Sequence, residues 1–304
     1  MSISKADEQI SFRKARQDDL PILLTIANKA YENSYEFTPF TEDDVFRERP
    51  GDIVLVAEKE NEIVGFALLE FRTRKDEREA EISILAVKGS IDNVEKSLVE
   101  ACEKAAHTKV ITHYLPPDDK RIPWLTERKY VVEPGYCHFV ASLEQLPPQP
   151  TVNVKDFQVR SMTASEETEV INVVNVAYGH ERLTKFHFER WRKQDPLFNN
   201  DWVLLATVDK KIAAVACSRQ DLRYNQTYGK LRGYLGPGCT LPEFRSKGIN
   251  KALNWHALKF LRDRGMKEAS LETAEVNEAI QKLAADLRYQ RRFVWKRLRK
   301  TLQL

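Results

Sequence analysis

The alternation of apolar and polar positions predicts the same order of elements twice along this chain. Residues 12–15 have the pattern of a strand and precede an acidic turn and an amphipathic helix that ends near Tyr31. Residues 157–160 precede a similar helix that ends near Tyr178. Acidic residues in the first turn of both helices match the positive end of the helix dipole. Because the copies are spaced by roughly 150 residues, the pattern predicts two copies of one domain rather than a solenoid of short repeats.

A hairpin follows the helix in each copy. Residues 53–57 and 63–67 are two apolar runs around a polar turn, and residues 203–207 and 212–216 repeat the arrangement. Such runs are typical of paired strands. Each half then continues as strand, helix, strand, helix and closing strands, which predicts a mixed α/β fold. A doubly wound nucleotide fold is less favoured, because the glycine-bearing loop follows a late strand rather than the first.

The clearest linker is the segment 146–150, Leu-Pro-Pro-Gln-Pro. Clustered prolines interrupt both helix and sheet. We therefore predict an N-terminal domain at 1–146, a linker at 147–156 and a C-terminal domain at 157–304.

Composition narrows the class of protein. The 304 residues are 42% hydrophobic and 31% charged, enough apolar sequence for two cores, and the net charge of +3 favours neither nucleic acid nor membrane as a partner. No apolar stretch approaches the roughly 18 residues that cross a bilayer, and the polar N-terminus does not resemble a signal peptide. We expect a cytoplasmic protein with reduced thiols and no metal, because the four cysteines show neither disulfide nor metal spacing. They are Cys102, Cys137, Cys217 and Cys239.

The segment 241–253 carries the strongest chemical signal. An apolar run ends at Leu241, a basic turn with one glycine follows, and then apolar residues recur at helical spacing. Backbone N–H groups at a helix N-terminus suit a pyrophosphate. Arg245 and Lys247 add positive charge, and Gly248 lets the backbone approach a ligand closely. Taken alone, the same pattern also fits an ordinary helix N-terminus.

The turn resembles the acyl-CoA pyrophosphate loop of GNAT-family N-acetyltransferases: Arg or Gln, two residues, Gly, any residue, then Gly or Ala. The lead-in at 236–240 and the segment 277–289 resemble the family's fourth strand and its next helix. One departure is Asn250, which stands where the second small residue belongs, so that a side chain lies where the pyrophosphate packs. The resemblance implies an α/β (α+β) protein of two tandem GNAT-like domains, each a mixed, largely antiparallel, splayed sheet flanked by helices.

The resemblance also implies an acyl-CoA co-substrate, acetyl-CoA above all, with its pantetheine along the fourth strand. Cys239 is assigned to a backbone contact in preference to an acylated nucleophile, because the family transfers the acyl group directly. Asn277 matches a residue that contacts the CoA arm, although an Asn at a helix start also acts as a cap. The predicted CoA-binding residues are Cys239, Thr240, Leu241, Arg245, Ser246, Lys247, Gly248, Ile249, Asn250 and Asn277.

Catalytic residues are harder to assign. The family's general acid, a tyrosine, falls at Ala284, so the acid is left unassigned. A thiol has an ordinary pKa of about 8.5, so a thiolate can leave without assistance at a modest cost. The candidate base is Glu272, at the end of the predicted strand 269–273; the alternative is a solvated strand-end carboxylate.

The acceptor-binding candidates are Tyr178, His180 and Trp191. Aromatic and basic residues in this region suit an acceptor with an anionic or flat portion, either a small-molecule amine or the amine of a protein or peptide. The competing interpretation gives Trp191, with Phe186 and Phe188, to an ordinary apolar helix face. No third ligand accompanies the histidines at metal spacing.

The N-terminal half differs from the C-terminal half at the turn that would bind the pyrophosphate. The turn at 88–93 is about two residues shorter than its counterpart and lacks the Arg-x-x-Gly core, while Asp92 and Glu95 would compete with a phosphate at the helix start. The sequence predicts a GNAT-like domain with a degenerate CoA loop. This resembles the two-domain arrangement of mycothiol synthase, in which the C-terminal half carries the activity.

Three functions remain open at this stage. The leading one is an acyl-CoA-dependent N-acetyltransferase acting through its C-terminal domain. The alternative is a non-catalytic CoA-sensing or interaction protein, which the alanine at 284 favours. A nucleic-acid-associated role of the basic segment 288–300 is least favoured, because its apolar residues alternate as in a closing strand. The sequence leaves the acceptor and the oligomeric state open.

Overall fold

The computed structural model describes residues 10–46, 51–74, 77–89 and 92–303. The chain divides into two compact units. The first unit comprises Met1–Gly135 and Trp295–Leu304, and the second comprises Tyr136–Val294.

The elements follow the predicted order in both halves, with further helices at Glu42–Val45, Lys185–Gln194 and Leu222–Tyr228 that this order did not include. Those of the N-terminal half are β1 (Ser11–Lys14), α1 (Leu20–Tyr31), α2 (Glu42–Val45), β2 (Ile53–Lys59), β3 (Glu62–Arg74), β4 (Glu77–Val87), α3 (Asp92–Ala105), β5 (Val110–Leu115), α4 (Ile122–Glu127) and β6 (Val131–Ser142). Those of the C-terminal half are β7 (Gln158–Ser161), α5 (Glu167–Tyr178), α6 (Lys185–Gln194), β8 (Val203–Val208), β9 (Lys211–Gln220), α7 (Leu222–Tyr228), β10 (Arg232–Thr240), α8 (Ile249–Asp263), β11 (Glu268–Ala274), α9 (Glu278–Asp286) and β12 (Gln290–Thr301).

Each unit contains a mixed sheet in which antiparallel pairs predominate. In the first unit the strand order is β1-β2-β3-β4-β5-β12, with β4 and β5 parallel. In the second unit the order is β6-β11-β10-β9-β8-β7, with β10 and β11 parallel. The predicted fold class, a mixed α/β and largely antiparallel sheet flanked by helices, is confirmed.

The compact units divide the chain differently from the sequence halves. Residues 136–142 of β6 pair with β11 and belong to the second unit, while residues 296–301 of β12 pair with β5 and belong to the first. Each sheet is therefore completed by a strand from the other half of the sequence. The predicted N-terminal domain at 1–146, linker at 147–156 and C-terminal domain at 157–304 stay a prediction.

The core of the second unit forms between its sheet and its helices. All six residues of β8 are buried, and α8 places an apolar stripe on the sheet with Leu253, Ala257 and Leu261. β10 needs a glycine against this helix, because a Cβ at Gly233 would lie 2.6 Å from the side chain of Leu261. This close packing fixes β10 beside the start of α8.

A buried histidine in the first unit makes its stability depend on pH. His113 is 2% exposed, and its Nδ1 donates to the carbonyl of Ile82 at 2.6 Å. Burial lowers the pKa of His113 to about 3, well below its ordinary value of about 6.5. In the unfolded chain His113 therefore binds a proton below about pH 6.5, whereas in the folded unit its imidazole stays neutral.

We expect the free energy of unfolding to fall by about 2 kcal/mol through His113 between about pH 7 and about pH 5. Urea denaturation at the two pH values measures this loss. In His113→Gln, the fall in the free energy of unfolding between the two pH values should be smaller by about 2 kcal/mol, whatever the variant's stability at neutral pH. The control His107→Asn alters an exposed histidine with a positive φ that Asn tolerates, and should keep the wild-type difference. An unchanged pH dependence in His113→Gln would contradict the assignment.

Candidate functional site

The parallel strands β10 and β11 separate part-way along the second unit's sheet. They pair only from Arg232 to Tyr234 on β10 and from Glu268 to Ser270 on β11. Beyond these positions β10 continues along β9 and β11 continues along β6. A cavity of about 950 Å³ lies at the resulting gap.

Local sequence explains why β10 leaves its partner. Gly236 has a φ of +157° and Pro237 has no N–H to donate, and the register with β9 shifts between Leu235 and Gly238. Two side chains secure the displaced segment. Arg219 Nη1 donates to the Gly236 carbonyl at 2.9 Å, and the Tyr178 hydroxyl donates to the Gly238 carbonyl at 3.1 Å.

The start of α8 forms one wall of the cavity. Its N-cap is Gly248, with a φ of +77° and no side chain to satisfy the first N–H groups of the helix. A Cβ at Gly248 would meet only a carbonyl oxygen at 3.9 Å, so the backbone conformation rather than space favours glycine. Free N–H groups at the positive end of a helix dipole fit a phosphate group.

Arg245 fastens this turn to the end of α5. Its Nε donates to the Thr240 carbonyl at 3.2 Å and its Nη2 to the Ala177 carbonyl at 3.0 Å. Arg245 lines the cavity, as do Ser246, Gly248 and Ile249. Lys247 is not part of the lining; its Nζ lies 5.4 Å from the ring centroid of Phe244.

Two lysines that the sequence interpretation missed also line the cavity. Lys251 lies one turn into α8 and pairs with Asp286 at 2.8 Å, and Lys282 lies on α9. The three-residue spacing from Gly248 to Lys251 could have indicated the first, because such positions share a helix face.

Asn250 and Asn277 both line the cavity and both have structural partners. The amide of Asn254 donates to Asn250 Oδ1 at 2.9 Å, which ties the Asn250 side chain to the next turn of α8. The Asn277 side chain accepts from the N–H of Ile280 at 3.3 Å and caps α9. The two roles proposed for Asn277, cap and cavity contact, are therefore compatible.

The end of β10 contributes Cys239 and Thr240 to the lining, whereas Leu241 packs against the hydrophobic core. Burial raises the pKa of the Cys239 thiol to about 11. A thiol that stays protonated at neutral pH is a poor nucleophile, so a backbone role suits Cys239 better than acylation. The buried Thr240 Oγ1 has no hydrogen-bond partner within the described ranges.

Glu272 lies on β11, across the gap from β10. Its side chain reaches solvent through the cavity, yet protein atoms crowd it, and this desolvation raises the pKa of its carboxyl above the ordinary value. Arg219 and Arg182 act in the opposite direction without cancelling the shift. Within the described part of the chain, Glu272 has no ion pair, so its carboxylate is available to a substrate.

Residues 165–287 match the model of the acetyltransferase (GNAT) family. This segment is a GNAT acetyltransferase domain. It contains the whole lining of the cavity.

Three solved structures with the same architecture match 97% of this chain. A GCN5-related glucosamine N-acetyltransferase region of a fungal multi-domain β-N-acetylglucosaminidase is 14% identical, with a TM-score of 0.75 over 97% of this chain; the match spans 38% of that protein. A GCN5-related N-acetyltransferase from Sphaerobacter thermophilus is 18% identical, with a TM-score of 0.67 over 97% of this chain and 96% of its own. A tandem GNAT protein from the clavulanic acid biosynthesis pathway is 13% identical, with a TM-score of 0.69 over 97% of this chain and 99% of its own.

At these identities the likeness to solved structures shows the fold alone. A search of curated proteins found no match. Family and fold together support acyl transfer from an acyl-CoA as the general activity. The particular likeness to mycothiol synthase stays a prediction.

Only one of the three predicted acceptor-binding residues lines the cavity. Tyr178 lines the cavity. His180 is exposed outside the lining, with its Nδ1 3.1 Å from the Tyr178 carbonyl oxygen. Trp191 is 9% exposed and packs edge-to-face on Phe188, as the apolar-face interpretation expects.

The position of the family's tyrosine acid lies in the core. Ala284 is completely buried, while its neighbour Leu283 lines the cavity. Two other tyrosines line the cavity, Tyr178 and Tyr234, and burial raises the pKa of both hydroxyls. Both therefore carry a proton at neutral pH.

The first unit repeats the diverging strands, and the Tyr31 hydroxyl bonds to β4 beyond the point where the strands separate. β4 and β5 pair only from Glu79 to Ile82 on β4. The Tyr31 hydroxyl accepts from the N–H of Leu85 at 3.1 Å and lies 3.3 Å from its carbonyl oxygen. A nearly buried ion pair, Arg121 with Asp119 at 2.6 Å, follows the end of β5.

The shortened turn of the first unit is described only in part. Lys88 and Gly89 follow β4, Ser90 and Ile91 lie outside the described residues, and α3 begins at Asp92. The degenerate CoA loop of the N-terminal half therefore stays a prediction from the sequence.

Neither a metal site nor a membrane span is found in the described residues. They contain no group of three His, Cys, Asp or Glu side chains that could hold a metal ion. Their helices include none that is long and apolar enough to cross a membrane.

Proposed function

We propose that this protein is an acyl-CoA-dependent N-acyltransferase that uses acetyl-CoA and acts through its second unit. The observation that carries the proposal is the gap between β10 and β11, which opens beside the uncapped start of α8 and faces Glu272. A pantetheine arm can add to the unpaired side of β10 like a strand, and the N–H groups of α8 can bind the pyrophosphate.

Direct transfer needs a neutral amine and a route for the thiolate to leave. Glu272 would accept a proton from the ammonium form of the acceptor, and the amine nitrogen would then attack the thioester carbon. The backbone of β10 would stabilise the developing oxyanion. The carbon–sulfur bond breaks, and the second proton that the attacking nitrogen loses would pass to the departing thiolate or to solvent, directly or through the hydroxyl of Tyr178 or Tyr234, both of which line the cavity.

The physical case for confining the activity to the second unit is the Tyr31 hydroxyl of the first. Tyr31 occupies the N–H of Leu85, which pantetheine would need. We further propose a cytoplasmic location, since all four cysteines are free thiols in the structure.

We expect one molecule of acetyl-CoA to bind per chain. Calorimetry on the full chain gives the stoichiometry, and Arg245→Glu should weaken the binding while leaving the first unit unaltered. Two equivalent sites, or one site whose affinity Arg245→Glu leaves unchanged in a folded protein, would place the co-substrate elsewhere. Transfer itself is tested by mass spectrometry of an amine library incubated with acetyl-CoA.

The alternative function is CoA sensing without catalysis. The specific observation that favours it is the complete burial of Ala284, which leaves the family's usual acid position without a hydroxyl. Binding of acetyl-CoA with no N-acylated product from any amine would establish this alternative.

A further inference from the structure

Several charged and aromatic side chains share the sheet face opposite α8. Tyr234 lies directly across from Arg219 on β9 and beside Ser270 on β11. Glu272 follows two residues after Ser270 and therefore projects from the same face, because alternate strand residues share a face. Gly233, one residue earlier than Tyr234, is the position that packs on α8.

Two guanidinium groups on this side have no carboxylate partner within the described residues. Arg219 lies 4.4 Å from the ring centroid of Tyr234 and 5.2 Å from that of Trp191, and its Nη1 donates to a carbonyl. Arg182 lines the cavity, and its guanidinium lies 5.7 Å from the ring centroid of Tyr178. Aromatic contacts hold both guanidinium groups in place without neutralising them.

The Arg182 guanidinium lies in the cavity lining and lacks a carboxylate partner among the described residues. Arg232 is paired with Asp221 at 2.8 Å, so this pair contributes no net charge. Asp195, a buried carboxylate that accepts from Gln220 beside Arg219 at 3.2 Å, lies outside the lining. Glu272 lies on the same face, and Arg219 and Arg182 both act on it electrostatically. An acceptor that entered with only an amine would leave the Arg182 guanidinium in the cavity without an anionic partner.

We propose that the acceptor is a small amine that also carries an anionic group, a carboxylate or a phosphate. Arg182, which lines the cavity, binds the anionic group while the amine lies at Glu272, and Arg219 adds positive charge from outside the lining. Guanidinium groups present pairs of N–H donors that match the oxygens of both anions. This inference depends on the proposed function, since it names the substrate class of the same site.

The test compares matched amines that differ in one anionic group. An α-amino acid is paired with its carboxamide, and glucosamine 6-phosphate with glucosamine. Steady-state rates with acetyl-CoA should show kcat/KM about 10- to 100-fold higher for the anionic member of at least one pair, the scale of charged hydrogen bonds. The pair that responds distinguishes carboxylate from phosphate.

Arg182→Gln should reduce this preference to about one, and Arg182→Glu should reverse it in favour of diamines. Arg190→Gln is the matched control, because Arg190 is an exposed arginine on α6 outside the cavity lining, and it should keep the wild-type preference. Affinity for CoA measured in parallel shows that each variant retains the co-substrate site. Arg219→Gln is informative only alongside that measurement, because Arg219 also holds the Gly236 carbonyl.

A second readout does not depend on turnover. The same amines are titrated calorimetrically into the protein saturated with CoA. Equal binding and equal kcat/KM within every pair, or a preference that persists in Arg182→Gln, would overturn the anionic-acceptor proposal while leaving the transferase proposal intact. Binding of the anionic members, lost in Arg182→Gln, without any acyl transfer would retain the anion site and reject the transferase.

Discussion

Gly248→Asp is expected to weaken acetyl-CoA binding by roughly 1–3 kcal/mol, the scale of losing charge-assisted hydrogen bonds to a phosphate. The substitution places a carboxylate at the N-terminus of α8, where it would repel the pyrophosphate and compete for the same N–H groups. Gly248 is exposed, and a Cβ there has room, so the fold should persist. Titration calorimetry with acetyl-CoA measures the change.

The chain offers a matched control at the other end of the same helix. Gly265 follows α8 and has a φ of +85°, and a Cβ at this position would have no other atom within 4 Å. Gly265→Asp therefore imposes a comparable backbone strain without adding charge to the cavity. Equal affinities of the two variants for acetyl-CoA would show that the turn does not contact the pyrophosphate.

Glu272→Gln is expected to lower kcat by about 10²–10⁴-fold, the usual contribution of a positioned general base. The affinity for acetyl-CoA should change little, because the amide keeps the shape of the side chain. The pH profile gives a second signature. Desolvation by the surrounding protein atoms raises the pKa of the Glu272 carboxyl, and the base acts only when ionised, so wild-type activity should fall as pH decreases through that raised pKa.

The Glu272→Gln variant should lose this acidic limb of the profile along with the rate. Glu243→Gln serves as the control, since Glu243 is exposed in the neighbouring turn and does not line the cavity. A wild-type rate and pH profile in Glu272→Gln would exclude Glu272 as the base and leave a water chain or another group in that role.

The tyrosine that ends the first long helix makes different backbone contacts in the two halves. Tyr31 and Tyr178 each end the first long helix of their half, and each hydroxyl bonds the backbone of a strand that diverges from its parallel partner. The Tyr31 hydroxyl bonds to both the N–H and the carbonyl of Leu85, whereas the Tyr178 hydroxyl bonds only to the Gly238 carbonyl among the described contacts and lines the cavity. The difference supports a single CoA site per chain.

Local pattern determined much of this protein. Strand alternation and helical spacing depend on near neighbours, so they predicted the mixed sheet and the order of elements in both halves apart from α2, α6 and α7. The turn at 245–248 was recognisable because a positive φ at Gly248 and a helix start are properties of a few consecutive residues.

The tertiary structure decided what depends on distant pairing. The exchange of β6 and β12 between the units follows from which sheet edge each strand completes, and no local pattern specifies an edge. The gap exists because β10 and β11 stop pairing after Tyr234, and that divergence brings Glu272 and Tyr178 to one cavity. Core packing buried Trp191 and Ala284, since a helix face is assigned only when its neighbours are in place.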